Sequence, residues 1–278
     1  MTKFVSKDFS YDGDTLNGLP HGTGEAIYLN GDKYVGNFEN GMRQGKGSYT
    51  FSNGTRYEGD FEKGLFCGVG TLFYLNGDKY EGEFKDSVRH GKGKLTCSNG
   101  EVYEGDFCKN LIHGIGSYIF DNGDKYQGDF TSGAITGKGK FFYADGDRYE
   151  GDVENGIMHG QGVYYHKSGE IYQGAFYNNL KSGVGEYLYS DGDKYVGNFE
   201  KGTFNGKGKF FYANGDKYDG YFKDGLKHGM GVFYFADGSK FECYFAYDKP
   251  NGEVTFYDKN GVKTVQTFKD GKLILEMK

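Results

Sequence analysis

The stretch YEGDF at residues 57–61 is followed by GVG at 68–70 and by NGDK at 76–79. The same pattern returns every 23 residues, and each unit begins at an aromatic residue. A fixed period of about 20 to 50 residues is the signature of a repeat protein, so the repeat sets the fold class. The units begin at Tyr11, Tyr34, Tyr57, Tyr80, Tyr103, Tyr126, Tyr149, Tyr172, Tyr195, Tyr218 and Phe241, and a truncated unit begins at Thr264.

The repeat divides the chain into three segments. We predict an N-terminal cap at residues 1–10, eleven repeats at residues 11–263, and a partial repeat with a C-terminal cap at residues 264–278. Terminal repeats lack a neighbour on one side and are expected to depart from the pattern. The last segment does so, because it becomes aliphatic (TFKDGKLILEMK).

Each unit predicts two strands. Tyr and Phe alternate with polar residues, as in half-buried strands. Asn-Gly, Asp-Gly or once Ser-Gly stands at positions 20 and 21, counted from the first aromatic residue of the unit. Such dipeptides tolerate positive φ and predict a tight type I′ hairpin turn. The sequence therefore predicts an all-β protein, an elongated single-layer antiparallel sheet of about eleven to twelve consecutive β-hairpins with a right-handed twist.

The glycines keep strict register within the unit. All 50 of them occupy position 3, 8, 12, 14 or 21. Glycine inside a strand normally weakens it, unless a ring or another backbone lies against the bare position. We therefore interpret positions 3, 12 and 14 as beds for neighbouring Tyr and Phe rings. Cys243 and Val254 replace two of these glycines in the unit that begins at Phe241.

Composition argues against several classes of partner and compartment. The formal charge of -6 and the pI near 5.6 do not suit a nucleic-acid partner, because phosphate neutralisation needs a basic surface. The four cysteines stand at different positions of the unit without CxxC spacing, which favours free thiols in a reducing compartment. No apolar run is typical of a signal peptide or a transmembrane span, so we expect a cytosolic protein.

No motif predicts catalysis. The recurring GxG lacks the third glycine and the helix start of a dinucleotide fingerprint, and no GK[ST] follows as in a P-loop. Histidine recurs at position 11, but copies one repeat apart would be about 10 Å apart, which is too far to share a zinc ion. We predict no catalytic residue, no metal site and no cofactor, and so not an enzyme.

Basic residues at position 23 allow an alternative function. Arg56, Glu58 and Asp60 lie on the same side of one strand, so most of these bases are neutralised locally. Acids are missing at positions 2 and 4 beside Lys33, with Val35 and Asn37, and beside Lys194, with Val196 and Asn198. These two lysines are the weak candidates for contact with anionic lipid headgroups.

Aromatic residues of the second strand are the candidate protein-binding surface. Tyr and Phe bury a large area for few rotamers and are enriched in interface anchors. The candidates are Tyr49, Phe51, Tyr118, Phe120, Tyr187, Tyr189, Phe233 and Phe235.

The unit YxGxF, six variable residues, GxG and the NGD turn resembles the MORN repeat over residues 11–263. The sequence lacks the Trp that the family often has where Phe38, Phe61 or Phe84 stands. The resemblance implies a single-layer hairpin sheet that acts as a non-enzymatic scaffold for protein–protein interaction. Stand-alone members of the family are similar to cytoskeletal proteins of ciliary axonemes, notably radial-spoke heads, and of the cortical membrane skeleton in protists, so the resemblance implies one of these settings. It leaves open a phosphoinositide-binding membrane adaptor and a homodimer through terminal repeats.

Overall fold

The computed structural model describes residues 2–277, and its regular elements are all β-strands. The strands divide into two compact units, each made of several 23-residue repeats, with the boundary between Gly137 and Lys138. From here on, 'unit' means one of these two parts of the chain and 'repeat' means a 23-residue segment. The first unit contains β1 Thr2–Val5, β2 Phe9–Leu16, β3 Leu19–Tyr28, β4 Lys33–Glu39, β5 Met42–Thr50, β6 Arg56–Glu62, β7 Leu65–Phe73, β8 Lys79–Lys85, β9 Val88–Thr96, β10 Val102–Cys108, β11 Leu111–Ile119 and β12 Lys125–Thr131. The boundary falls within β13 Ala134–Phe142. The second unit contains β14 Arg148–Glu154, β15 Ile157–Tyr165, β16 Ile171–Tyr177, β17 Leu180–Leu188, β18 Lys194–Glu200, β19 Thr203–Phe211, β20 Lys217–Lys223, β21 Leu226–Tyr234, β22 Lys240–Ala246, β23 Lys249–Tyr257, β24 Lys263–Lys269 and β25 Lys272–Met277.

Each unit is an open antiparallel sheet in which consecutive strands pair. In the first unit β1 to β12 pair in chain order. In the second unit β14 to β25 do the same. Between β6 and β7, Tyr57 lies opposite Leu72 and Gly59 opposite Gly70. The predicted class, all-β and built from consecutive antiparallel hairpins, is confirmed.

The tight turn of each repeat lies at positions 7 and 8. Asn40 and Gly41 have φ values of 50° and 83° and join Glu39 to its register partner Met42. Positive φ at both central residues is the mark of a type I′ turn, whose twist matches that of paired strands. The loop that joins the two strands of a repeat is therefore two residues long.

The turn between repeats is of a different type. The N–H of Gly31 donates to the carbonyl of Tyr28 at 2.9 Å, and the N–H of Tyr28 donates to the carbonyl of Asp32 at 2.9 Å. Gly31 has φ 87°, whereas Asn30 is not among the residues with positive φ. The type I′ prediction at positions 20 and 21 is therefore wrong. A three-residue loop that ends in a left-handed glycine closes this connection.

The aspartate after this turn links it to the turn of the next repeat. One carboxylate oxygen of Asp32 accepts the N–H of Ser52 at 2.8 Å, and Asp78 accepts the N–H of Ser98 at 2.9 Å. The side chain of Asn30 also accepts the N–H of Asp32 within its own turn. The hydrogen bonds of this aspartate thus connect the turn of one repeat with the turn of the next.

The core is a stack of tyrosine rings on bare glycines. The ring of Tyr57 lies over Gly59 and Gly70, where an added Cβ would stand 2.7 Å and 2.6 Å from the ring carbon that carries the hydroxyl. Its hydroxyl donates to the carbonyl of Asp60 at 3.0 Å. Most of these rings also contact the phenylalanines of their own and the next repeat, edge to face, as Tyr57 does with Phe61 and Phe84 at 5.3 Å and 4.9 Å. Positions 3 and 14 are therefore ring beds, as predicted.

Position 12 has another role. Gly68 has φ 54° and stands where the register between β6 and β7 shifts after Gly59. The atoms that an added Cβ at Gly68 would meet belong to the Asp60 side chain and to no ring. The interpretation of position 12 as a ring bed is wrong, since this glycine serves a β-bulge that requires left-handed backbone.

The repeat that begins at Phe241 shows why two glycines can be lost. Cys243 and Val254 are register partners and are both buried. Phe241 packs parallel to Phe233, with ring centroids 5.4 Å apart. The two side chains fill the space that a tyrosine ring covers in the other repeats.

Candidate functional site

We call the side of each sheet that carries the first-position tyrosines the ring face. On this face the second strand places position 16 near its end, and position 18 begins the following turn. The eight predicted protein-binding residues all stand at these two positions, and they are half-buried except for Tyr49, which is buried. They are Tyr49, Phe51, Tyr118, Phe120, Tyr187, Tyr189, Phe233 and Phe235.

In the second unit these positions form a continuous series of rings, which we call the aromatic ladder. Successive ring centroids are 4.7–6.5 Å apart. The ladder consists of Phe141, Tyr143, Tyr164, His166, Tyr187, Tyr189, Phe210, Tyr212, Phe233, Phe235 and Phe256. Four of the predicted residues are thus brought together, and the ladder joins them through rings that the sequence analysis did not name.

In the first unit the predicted residues stand in two pairs. Tyr49 contacts Phe51 with ring centroids 4.9 Å apart, and Tyr118 contacts Phe120 at 4.8 Å. At these positions in the two repeats between them the sequence has Leu72 with Tyr74 and Leu95 with Cys97, so the series of rings is interrupted. The sequence could have indicated the ladder rings of the second unit that were not predicted. Phe210 and Tyr212, for example, occupy positions 16 and 18 of their own repeat.

A polar cluster lies inside the ladder at Asp147. Its carboxylate accepts the hydroxyl of Tyr164 at 2.8 Å and the N–H of Lys167 at 2.9 Å, and Nδ1 of His166 lies 3.2 Å away. Burial raises the pKa of Asp147, but these hydrogen bonds outweigh burial and leave the pKa below its ordinary value. The cluster fixes one tyrosine of the ladder and the turn beside it.

Two lysines stand against the rings of the second unit. The ammonium of Lys181 lies 4.3 Å from the centroid of Tyr187 and 5.6 Å from that of Tyr172. Burial lowers the pKa of Lys181, and the charge of Glu170 offsets part of that effect. Lys227 lies 5.5 Å from the centroid of Tyr212. The ring face therefore combines apolar area with a few cations and phenol hydroxyls.

The opposite side of each sheet, which carries positions 23, 2 and 4, is the charged face. Arg56 pairs with Glu58 at 2.8 Å, so the predicted local neutralisation is confirmed there. Lys33 and Lys194, the weak lipid candidates, are also paired, with Glu25 at 2.9 Å and Glu186 at 3.2 Å. The premise that these two charges lack compensation is wrong. Their partners lie on the preceding strand, whereas the sequence analysis had considered only acids on the same strand.

Two properties concern all the described residues. No group of three or more His, Cys, Asp or Glu within residues 2–277 could hold a metal ion. The same range contains no helix that could cross a bilayer.

The chain consists of similar hairpins whose tyrosine rings lie on glycines, with a ring face on one side of each sheet and a charged face on the other. These features define a β-hairpin repeat protein. The chain belongs to the MORN repeat family. The MORN repeat profile matches residues 11–33, 34–56, 57–79, 80–102, 103–125, 126–148, 149–171, 172–194, 195–217 and 218–240. These boundaries are those of the repeats read from the sequence.

Solved structures show weaker likeness. The chain is similar to the TCP10 domain of Danio rerio CPAP, solved with a peptide of STIL, at 17% identity and a TM-score of 0.38, covering 84% of this chain and 95% of that one. It is also similar to the TCP domain of Drosophila melanogaster SAS-4, solved with a proline-rich motif of Ana2, at 16% identity and a TM-score of 0.36, covering 54% and 82%. No curated protein sequence matches the chain.

Proposed function

We propose that this protein is a non-enzymatic structural scaffold that binds other proteins through the ring face. The aromatic ladder of the second unit carries this proposal. Its rings pack on one another at 4.7–6.5 Å and, apart from the buried Phe141, keep part of their surface exposed, whereas the first-position tyrosines beneath them are fully buried. The fold is held by the buried tyrosines, so the outer ladder is available for a partner.

The chemistry of the ladder suits a polypeptide partner. Tyrosine and phenylalanine offer large rigid contact area, and tyrosine hydroxyls and nearby cations can bind carbonyl and carboxylate oxygens. Tyr187 lies beside the Lys181 ammonium, which has no hydrogen-bond acceptor among the described residues. A partner that lays an apolar stretch on the rings could supply that acceptor.

We place this function in a cytoskeletal assembly, either a ciliary axoneme of the radial-spoke type or the cortical membrane skeleton. Membership of the MORN repeat family supports this setting, because its stand-alone arrays resemble components of such assemblies. The partners would then be other cytoskeletal or axonemal proteins.

Neighbouring residues on opposite faces give a matched test. Phe210 belongs to the ladder, and Phe211 follows it on the charged face. The full chain and its Phe210→Ser and Phe211→Ser variants would be added to a detergent-resistant cytoskeletal fraction and pelleted, with circular dichroism as a check of folding. Loss of co-pelleting with Phe210→Ser alone is the expected result. Equal pelleting of both variants, or no pelleting of the unaltered chain, would remove the proposal.

The alternative, a phosphoinositide-binding adaptor through Lys33 and Lys194, lost its particular support when both ammonium groups were found in ion pairs. Flotation with vesicles that contain a phosphoinositide tests it directly. Binding that falls with salt and is lost in Lys33→Ala and Lys194→Ala would favour the alternative.

A further inference from the structure

A row of side chains crosses the charged face where position 13 of one repeat lies beside position 4 of the next. In regular repeats the two form an ion pair, as in Lys46 with Asp60 at 2.8 Å and Lys92 with Asp106 at 2.6 Å. The carboxylate of Asp106 also accepts the N–H of Ile115 at 3.0 Å. The regular row is therefore charged and satisfied by its own members.

The row loses its position-4 acids from β16 onward, where Ala175 stands, and has exposed tyrosines at this position on β20 and β22. Lys207 lies opposite Tyr221, where the regular repeat has a carboxylate, and Met230 lies opposite Tyr244. Tyr221, Met230 and Tyr244 are 51%, 60% and 43% exposed. These three side chains stand on consecutive strands and form one apolar patch.

The first unit shows that the patch is not a general feature of the repeat. Val69 and Ile115 are also exposed at position 13, but they lie opposite Glu83 and Asp129. Each apolar side chain there has acids beside it. An exposed cluster of Tyr and Met without such acids has the composition of an interface centre.

Opposite charges stand at the two ends of the patch. Lys207 on β19 and Glu253 on β23 are exposed, and neither has an ion-pair partner within residues 2–277. Four strand spacings of about 4.8 Å separate them, or about 19 Å. Lys207 has lost its regular partner because Tyr221 replaces the acid.

We propose that Lys207, Tyr221, Met230, Tyr244 and Glu253, which we call the tyrosine–methionine row, dock an amphipathic helix of a partner protein. Its apolar stripe covers the three central side chains, an acid near one end pairs with Lys207, and a base near the other end pairs with Glu253. The charges argue for one orientation of the helix on the row.

The spacing of the row fits a helix better than an extended segment. Neighbouring strands bring one side chain about every 4.8 Å, close to the helical pitch of about 5.4 Å. Side chains on one face of an extended chain recur about every 6.7 Å. At about 1.5 Å per residue, the distance between the charges corresponds to roughly 13 helical residues.

The row lies on the charged face and the aromatic ladder on the ring face, so the two proposals do not depend on each other. The probe is a labelled helical peptide of about 15 residues whose one face carries a glutamate, three leucines spaced three or four residues apart, and a lysine. Binding to the full chain is measured by fluorescence anisotropy. A Tyr221→Ser and Tyr244→Ser double variant should raise the Kd at least about ten-fold. The control is Tyr177→Ser, an exposed tyrosine outside the row, which should leave the Kd unchanged.

Exchange of charges tests the orientation. A Lys207→Glu and Glu253→Lys double variant should prefer a peptide with its glutamate and lysine exchanged, by up to about five-fold. Absence of saturable binding, or equal Kd values for both peptides on both proteins, would overturn the proposal. A wild-type dimer in sedimentation velocity that Met230→Asp abolishes would show that a second copy covers the row, and would also overturn it.

Discussion

The ring of Tyr57 occupies the space in which Gly70 would carry a side chain. A Cβ built on Gly70 would stand 2.5 Å from the ring edge and 2.5 Å from the hydroxyl oxygen. The same hydroxyl donates to the carbonyl of Asp60 at 3.0 Å, so the ring cannot swing aside without losing a hydrogen bond. This contact joins neighbouring strands at the centre of the repeat and explains why position 14 is glycine.

Gly70→Ala should lower the free energy of unfolding by about 1–3 kcal/mol, because the added methyl group overpacks a buried contact. Urea denaturation followed by circular dichroism measures the change. Gly64→Asn is the matched control, because Asn110 and Asn179 hold the same left-handed position in other repeats with φ 72° and 66°. A loss in the control as large as that in Gly70→Ala would contradict the explanation.

Alkaline unfolding should follow ionisation of the buried tyrosines. Burial raises the pKa of Tyr34, Tyr80, Tyr103, Tyr126 and Tyr172 to about 12. Because the folded pKa lies above the unfolded value near 10, this stabilisation is complete below about pH 10 and is lost as the pH rises toward 12. Tyrosinate absorbance and loss of the circular dichroism signal should therefore rise together above about pH 10. Complete ionisation of a protein that is still folded would contradict this.

Asp147→Asn should destabilise the second unit by about 1–3 kcal/mol at neutral pH. The change weakens the hydrogen bonds that the Asp147 carboxylate makes with Tyr164, Lys167 and His166. The pKa of Asp147 is lowered in the folded protein, so the stabilisation is present above about pH 4 and is lost as the pH falls through the lower folded value. The difference between the wild type and the variant in urea denaturation should shrink on acidification. A difference that stays constant down to pH 3 would refute this account, and Glu253→Gln serves as an unpaired control.

Tyr221→Asp should leave the free energy of unfolding within about 0.5 kcal/mol of the wild type. The change removes an exposed ring and returns an acid opposite Lys207, as in the regular pair of Lys92 with Asp106. Thermal and urea denaturation of the full chain measure it. A loss above about 2 kcal/mol would mean that Tyr221 serves the fold, and that its exposure needs no partner.

The sequence alone was enough to predict the structural features that depend on local residue pattern. The period and the aromatic alternation predicted the hairpins, and glycine in register with Tyr57 predicted that rings lie on bare backbone. It misjudged position 12 because a glycine under a ring and a glycine in a bulge look the same in one sequence. Only the register shift after Gly59 and the positive φ of Gly68 distinguish them.

Residue type and spacing, then, determined the repeat, the strand content and the fold class, because a 23-residue period with two-residue alternation allows few other arrangements of the backbone. Tertiary structure decided which side chains meet across strands. It placed Glu25 beside Lys33, joined Tyr189 to Phe210 in one ladder, and left Lys207 opposite Tyr221. Cross-strand partners depend on turn length and bulges, and a shift of one residue would exchange every neighbour and every face.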